Sequence, residues 1–475
     1  MTAATSPMPR TPSRPPRPRL AAGRRLTPLL LAGVLLSGCA VYHPKPLPEG
    51  PDLARTVPQL TVDPATLRLP GLRPHPFNPA RPLDMTDVAI LAAVNNPQLK
   101  AARQQAGVAR AQLFDARLLP DPQLSINPDF TTNRGPGLTN ALSVGLSYDL
   151  KTLITRWAGV SAARSAVHQV DLGLLWSEWQ VVQQARSLFI QVTAQEAELT
   201  LLRRFQALYA QRYARSSKAL RQGNLTLDVV GTDLTALLDA NTRVNDMERK
   251  LSETRQTLNV LLGLAPEAPL RLTATDSVAA ITAAQIRTAL ANLPRRRPDL
   301  LALRAGYKSQ EQRVRQAVLA QFPALNVGVT RSRDNSDIHS TGLGITLTLP
   351  ILNGNRGQVA IERATRAKLR QEYQARLDAA YAQVQLLWTR HQLLSEQLVA
   401  VNRNLPTIQT MADHARRAYE ARDLGALIYL NLENTLLNKQ LEALNLQQSL
   451  LETRVALQTL LGAAWAAPAQ PTTGE

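Results

Sequence analysis

Among 475 residues there is one cysteine, Cys39, so no disulfide can form within the chain. Aromatic residues make up only 4% of the sequence. Apart from the short cluster Arg295-Arg296-Arg297, the basic residues are scattered among Gln, Ala and Leu instead of being gathered on one face. Despite a formal charge of +18, this disfavours a nucleic-acid binder, which needs clustered cations and rings to stack on bases. The six histidines (His43, His75, His168, His339, His391 and His414) never fall at metal-ligand spacing. Trp157, Trp176 and Trp179 fit helix packing better than a ligand box. No nucleophile motif, P-loop or dinucleotide fingerprint occurs, so neither an enzyme nor a cofactor is expected. No apolar stretch is long enough for a spanning helix.

What is present begins with an address. The first 38 residues hold six arginines and no acid, and without them the net charge falls to +12. Residues 1–20 are Pro- and Arg-rich, and Met8 offers a second start. Arg24-Arg25, the apolar run Leu26–Leu36 and then Ser37-Gly38 have the order of a secretory signal. Leu36-Ser37-Gly38-Cys39 resembles the bacterial lipobox, which implies cleavage before Cys39 and acylation of its thiol and new amine. Two or more acyl chains would anchor the mature chain firmly. Ala40, where aspartate would retain a lipoprotein in the inner membrane, implies outer-membrane sorting. A Pro-rich strap follows, so the expected order is signal peptide 1–38 and lipidated strap 39–82.

Beyond the strap the chain is written twice. Shifted by 201 residues, Pro97, Leu99, Ala101 and Arg103 meet Pro298, Leu300, Ala302 and Arg304, without a gap from Pro97 to Ala163. At a shift of 199, Glu253-Thr254-Arg255 and Leu261-Leu262-Gly263 recur as Glu452-Thr453-Arg454 and Leu460-Leu461-Gly462. Each copy starts with a helical stretch, Asp84–Leu119 or Pro298–Gln321. Two alternating segments come next: Leu124–Asn127 with Leu142–Tyr148, and Leu325–Thr330 with Leu343–Leu349. Period two, with one apolar face and one small or polar face, predicts half-buried strands of up to about ten residues.

Long helical stretches follow, Thr152–Gln222 and Asn353–Arg422, and Leu172, Leu175, Trp179 and Val182 keep heptad-like spacing. Pro406 is expected to kink or split the second. Breaks at Gln222-Gly223-Asn224 and Asp423-Leu424-Gly425 turn each copy back to a Leu-Leu-Gly stop. The expected layout is a first repeat 83–263, a linker 264–281, a second repeat 282–463 and a disordered tail 464–475.

Four strands suit a bilayer in length but cannot enclose a lumen, and open edges are not tolerated in lipid. Other chains must complete the barrel, and Ser143, Gly145, Ser147, Gly344, Thr346 and Thr348 would then line a wet interior. Ala320–Leu325, Gly342–Pro350 and Arg296-Arg297-Pro298-Asp299-Leu300 resemble the second-half signatures of the TolC/NodT-type outer-membrane efflux factors. Leu83-Asp84-Met85-Thr86 through Asn95-Asn96-Pro97-Gln98-Leu99 resembles their first-half opening, and the likeness covers residues 83–463.

The resemblance implies a mixed, mainly α fold with membrane β-structure. It implies a homotrimer whose twelve-strand barrel, four strands per chain, continues into a periplasmic α-helical barrel. Its implied role is the exit duct of a tripartite efflux pump, with outer-membrane lipid, a periplasmic adaptor and an inner-membrane transporter as partners. The hairpin turns would dock the adaptor: Arg221, Gly223, Asn224, Leu225 and Thr226 in the first, Arg422, Asp423, Leu424 and Gly425 in the second. Asp228 and Asn431 are the matching aperture positions, although Asp228 sits one place early for the family spacing. Pro120-Asp121-Pro122-Gln123-Leu124 is similar to metal-efflux relatives. The alternatives are a lipid-tethered periplasmic coiled-coil scaffold and a duct for protein secretion.

Overall fold

The computed structural model describes residues 42–60, 77–132, 135, 137–273 and 278–462. Residues 42–52 belong to a separate unit and are extended and largely exposed; the rest form the main unit. The signal, Cys39 and the tail lie outside the described residues.

The main unit opens with two helices, α1 (Met85–Asn95) and α2 (Pro97–Arg117), where one stretch is expected from the sequence. Asp84 caps α1 with a reciprocal box, accepting from the Thr86 and Asp87 amides while Asp87 reaches back. The division falls at Asn96-Pro97, because the proline ring drives the preceding residue out of the helical region. The same break at Arg297-Pro298 separates α5 (Ala283–Arg296) from α6 (Pro298–Leu319) in the second copy. Between these stand β1 (Gln123–Asp129), β2 (Ala141–Asp149), α3 (Leu150–Arg221) and α4 (Leu227–Leu261). After α6 come β3 (Ala324–Arg333), β4 (His339–Thr348), α7 (Arg356–Glu420) and α8 (Ala426–Leu460). Among the described residues no helix is long and apolar enough to cross a membrane.

At 72 residues α3 is about 108 Å long at 1.5 Å per residue. It packs against α1, α2, α4, α6 and α8, and is the spine on which both copies meet. The largest core lies along its middle, where Phe189, Ile190 and Val192 are closed over by Val88 and Leu91 of α1, Leu258 of α4 and Val455 of α8. Helix α7 runs unbroken through Pro406, so the helix is not split there. Asn402, whose carbonyl loses its partner, is exposed to water, as is Pro406 itself, which relieves the cost of the missing donor.

The expected strap and linker pair with each other. Ala54 N–H donates to Gly263 O at 3.1 Å and Ala54 O accepts from Ala265 at 2.8 Å. Leu83 bridges Arg271 and Thr273 in the same way, while Leu53, Val57 and Leu60 pack on the main core.

The Asn95-Asn96 pair closes the far end of α4. Asn95 Nδ2 donates to Leu262 O and Asn96 Nδ2 to Leu261 O, each at 2.8 Å, satisfying carbonyls that a helix end leaves open. Asn96 Oδ1 meanwhile caps α2 through the Leu99 amide at 3.0 Å. Gly263 turns the chain there at φ +71°, and a Cβ on it would lie 2.6 Å from Asn95 O. Gly263→Ala should therefore cost about 2–4 kcal/mol, combining left-handed strain with a clash against backbone. Thermal unfolding checks this, and a loss below about 1 kcal/mol would mean that the helix end shifts freely.

Candidate functional site

Two regions carry the residues of interest, the sheet and the hairpin tips at the opposite end of the long helices. The four strands form one antiparallel sheet in the order β1-β2-β3-β4. Register places Leu124, Leu146, Val329 and Leu343 in one cross-strand row, followed by Tyr148, Val327 and Ile345, and then by Leu325 and Leu347. The alternate rows are Ser125, Gly145, Thr330 and Gly342; Ser147, Gly328 and Gly344; and Asn326 with Thr346. The expected polar set, Ser143, Gly145, Ser147, Gly344, Thr346 and Thr348, thus shares one face.

The strands expected to be half-buried are instead largely bare: β1 and β4 are exposed on both faces, the apolar one included, with Leu124 65% exposed, Leu343 71% and Ile345 64%. Among the described residues nothing covers the apolar face, and neither β1 nor β4 has a partner on its outer side. Gly328 lets β2 and β3 approach closely: a Cβ there would lie 3.0 Å from Leu146 O and 3.1 Å from Ser147 Cβ.

Both tips end their long helix in the same left-handed turn. In the first, Gly223 at φ +74° lets its own amide reach Leu220 O and the Asn224 amide reach Ala219 O, each at 2.9 Å. In the second the residue at positive φ is Arg422 (φ 68°), with the Asp423 amide 2.8 Å from Ala418 O. The break expected at Asp423-Leu424-Gly425 thus turns one residue earlier, at Arg422, while Gly425 is extended and is the N-cap of α8, as Thr226 is of α4. An arginine held there carries roughly 1 kcal/mol of backbone strain that the glycine avoids.

Arg221, Asn224 and Thr226 are exposed, as are Asp423, Asp228 and Asn431, while Leu225 and Leu424 are half-buried. A hydrogen bond from Thr226 holds the Asp228 carboxyl below its usual range. Among the described residues the two tips share no direct hydrogen bond or ion pair.

About three turns above the tips the hairpins are joined by a network that sequence reading misses. Arg212 of α3 is 7% exposed and donates to Asp233 Oδ1 of α4 at 3.0 Å. Its guanidinium lies 4.8 Å from the ring centres of both Tyr419 of α7 and Tyr429 of α8, themselves stacked 5.0 Å apart. Burial pushes the Tyr429 hydroxyl up to about 12, and burial also raises the carboxyl of its neighbour Glu433. Tyr209, likewise pushed up to about 12 by burial, donates to Asn434 Oδ1 at 2.9 Å. The only sequence signal was the tyrosine pair ten residues apart around the second turn.

Of the tryptophans, Trp176 and Trp179 lie 6.4 Å apart within the helix packing. Trp157 departs from that expectation: it is 61% exposed near the sheet, under the Arg315 guanidinium at 4.6 Å. No group of three His, Cys, Asp or Glu among the described residues stands close enough to hold a metal ion.

Residues 289–463 match the family model for outer membrane efflux proteins. The chain is 23% identical over 272 residues to the cation efflux system protein CusC of Escherichia coli O157:H7, covering 54% of this chain and 58% of that protein. It thus spans little more than half the length of that relative. It is 25% identical to the pyoverdine export outer membrane protein OpmQ of Pseudomonas putida KT2440, over 77% of this chain and 83% of the other. The crystal structure of the Campylobacter jejuni CmeC outer membrane channel superposes with a TM-score of 0.69 at 15% identity, covering 89% of this chain and 95% of that one. The family match thus falls on the second repeat, while the fold of most of the chain is that of the CmeC channel.

Proposed function

We propose that three copies of this chain join edge to edge in the outer membrane to form the exit duct of a tripartite efflux pump. The observation that carries the reading is the sheet: it has two free edges, a bare apolar face and a face of Ser, Gly, Thr and Asn. Unpaired strand edges cannot persist in hydrocarbon, and four strands enclose no lumen, so β4 of one copy pairs with β1 of the next until twelve strands close. The apolar rows then face lipid and the small polar rows face water. Strands of ten residues, such as β3 and β4, reach about 33 Å, or roughly 25 Å when tilted, the height of an outer-membrane apolar band.

Below the membrane the paired long helices of three copies surround a continuation of the channel. Their tips, Arg221 to Thr226 and Arg422 to Gly425, meet the periplasmic adaptor that an inner-membrane transporter works through. Asp228 and Asn431 flank the narrow end. Cys39 carries the acyl chains and becomes the first mature residue. The relatives' names, one a cation efflux system and one an exporter of pyoverdine, share a route and not a cargo, so the assignment to this chain is the route.

Full-length protein extracted in mild detergent should run as a trimer that heating dissociates, and should conduct ions across planar bilayers. A monodisperse single chain with no conductance would leave a tethered coiled-coil scaffold as the better account.

A further inference from the structure

The bare face of the sheet is not apolar to its end. Reading from the helices toward the hairpin turn, β3 presents Leu325, Val327, Val329, Arg331 and Arg333 on that face, and β4 presents Leu347, Ile345, Leu343, Thr341 and His339. Arg331 stands opposite Thr341 and Arg333 opposite His339, so the apolar rows give way abruptly to a two-by-two patch of hydrogen-bond donors. On the other hairpin the same face stays apolar as far as Val144 and Leu142. Arg331 is exposed and, among the described residues, makes no hydrogen bond or ion pair within the chain. Arg333 is fixed at the strand end: its Nη2 donates to Asn140 O at 3.1 Å, and its Nε lies 3.8 Å from Asp337, the one acidic partner of the patch among the described residues.

An arginine on a lipid-facing strand is tolerated where the hydrocarbon ends, and falls sharply in favour toward the middle. Resting on the barrel reading above, this patch therefore lies at the headgroup level, at the end of the barrel remote from the periplasmic helices. A guanidinium there meets phosphate with two parallel N–H donors, and a neighbouring hydroxyl and imidazole add a third and fourth contact. From this juxtaposition we propose that Arg331 and Arg333, with Thr341 and His339, bind the phosphate of a phosphorylated lipid in the outer leaflet, at three equivalent sites around the trimer. Phospholipid with a zwitterionic headgroup offers the same acyl chains but a compensated charge, and binds less well.

The test uses the full-length protein in detergent, with bis-phosphorylated lipid A as the probe and its enzymatically dephosphorylated form as the comparison. Native mass spectrometry should find the trimer retaining the phosphorylated form at least fivefold more than the dephosphorylated form. Millimolar inorganic phosphate should compete only weakly, since the acyl chains hold the headgroup in place. R331Q/R333Q should abolish the preference, R331K/R333K should keep part of it, and R203Q on an exposed helix face should leave it unchanged. Equal retention of both lipids, or an unchanged preference in a trimeric R331Q/R333Q protein, overturns the proposal while the channel reading stands. If R331Q/R333Q forms no trimer, the lysine pair decides: a preference reduced from wild type supports the site, and one unaltered overturns it. A wild-type chain that neither trimerises nor conducts overturns both readings.

Discussion

Asp299→Asn should be among the most damaging single changes in the chain, costing about 3–5 kcal/mol because it strands a buried guanidinium. Arg297 is 1% exposed and gives Asp299 two hydrogen bonds, Nε to Oδ1 and Nη2 to Oδ2, both at 2.8 Å. Oδ2 also accepts from Arg376 Nε of α7 at 2.6 Å, and Oδ1 accepts from the Leu300 amide at 2.9 Å. The Arg297 guanidinium lies 4.8 Å from the centre of the Trp176 ring on α3. One carboxylate thus ties the α5–α6 corner to both long helices.

Burial alone would raise the Asp299 carboxyl, but the hydrogen bonds and charges of Arg297 and then Arg376 outweigh it and hold it below the usual range. A depressed carboxyl contributes stability that is present above its unfolded-state value and is lost as pH falls through the folded one. The wild-type protein should therefore weaken in acid while the asparagine variant, already weakened, changes less. Thermal denaturation followed by circular dichroism at neutral and acidic pH measures both. Arg376→Gln should cost much less, since that side chain is 42% exposed and its pair is screened by water. Equal costs at the two positions would mean that the tie to α7, not the burial of Arg297, sets the stability.

Arg212→Met should uncouple the two helical hairpins near their tips, at a cost of about 3 kcal/mol because it leaves Asp233 buried and unpaired. The Asp233 side chain is 1% exposed and, among the described residues, its Oδ2 has no hydrogen-bond partner even in the intact network. Arg212 also supplies the cationic edge against Tyr419 and Tyr429, and methionine fills the space without the charge. Amide hydrogen exchange should quicken about a hundredfold in α3 and α4 near residues 205–235 and, through the tyrosines, in α7 and α8 near residues 412–437. The sheet at the far end should keep its protection. Faster exchange confined to the first hairpin would show that the tyrosine contacts carry no coupling.

Much of this architecture was legible in the sequence because the signals were local. Alternation in Leu142 to Tyr148 and Leu343 to Leu349 marked strands whose polar rows the register brings together. The helix break before Pro97 was missed because the apolar period continues on both sides and hides the constraint that proline places on its predecessor; in the second copy the stretch was begun at Pro298, as the structure has it, and α5 before it was not assigned. Arg422 in a left-handed turn was missed because nothing local asks for it, and the break was placed one residue later, at Asp423-Leu424-Gly425. Arg212 and its tyrosines were beyond reach, since they meet only once two hairpins separated by some 200 residues are set in register.

The two copies do not keep one spacing throughout. The prolines that start α2 and α6 are 201 residues apart, whereas the left-handed turns at Gly223 and Arg422, and again at Gly263 and Gly462, are 199 apart. The first copy therefore holds two additional residues between its opening and its first turn. In an α-helix two residues rotate everything beyond them by about 200° and advance it by about 3 Å. Side chains that correspond between α3 and α7 above that point are turned to nearly opposite sides below it. A molecule built by doubling has in this way given up the equivalence of its halves, and anything that grips its far end meets two alternating surfaces instead of one repeated.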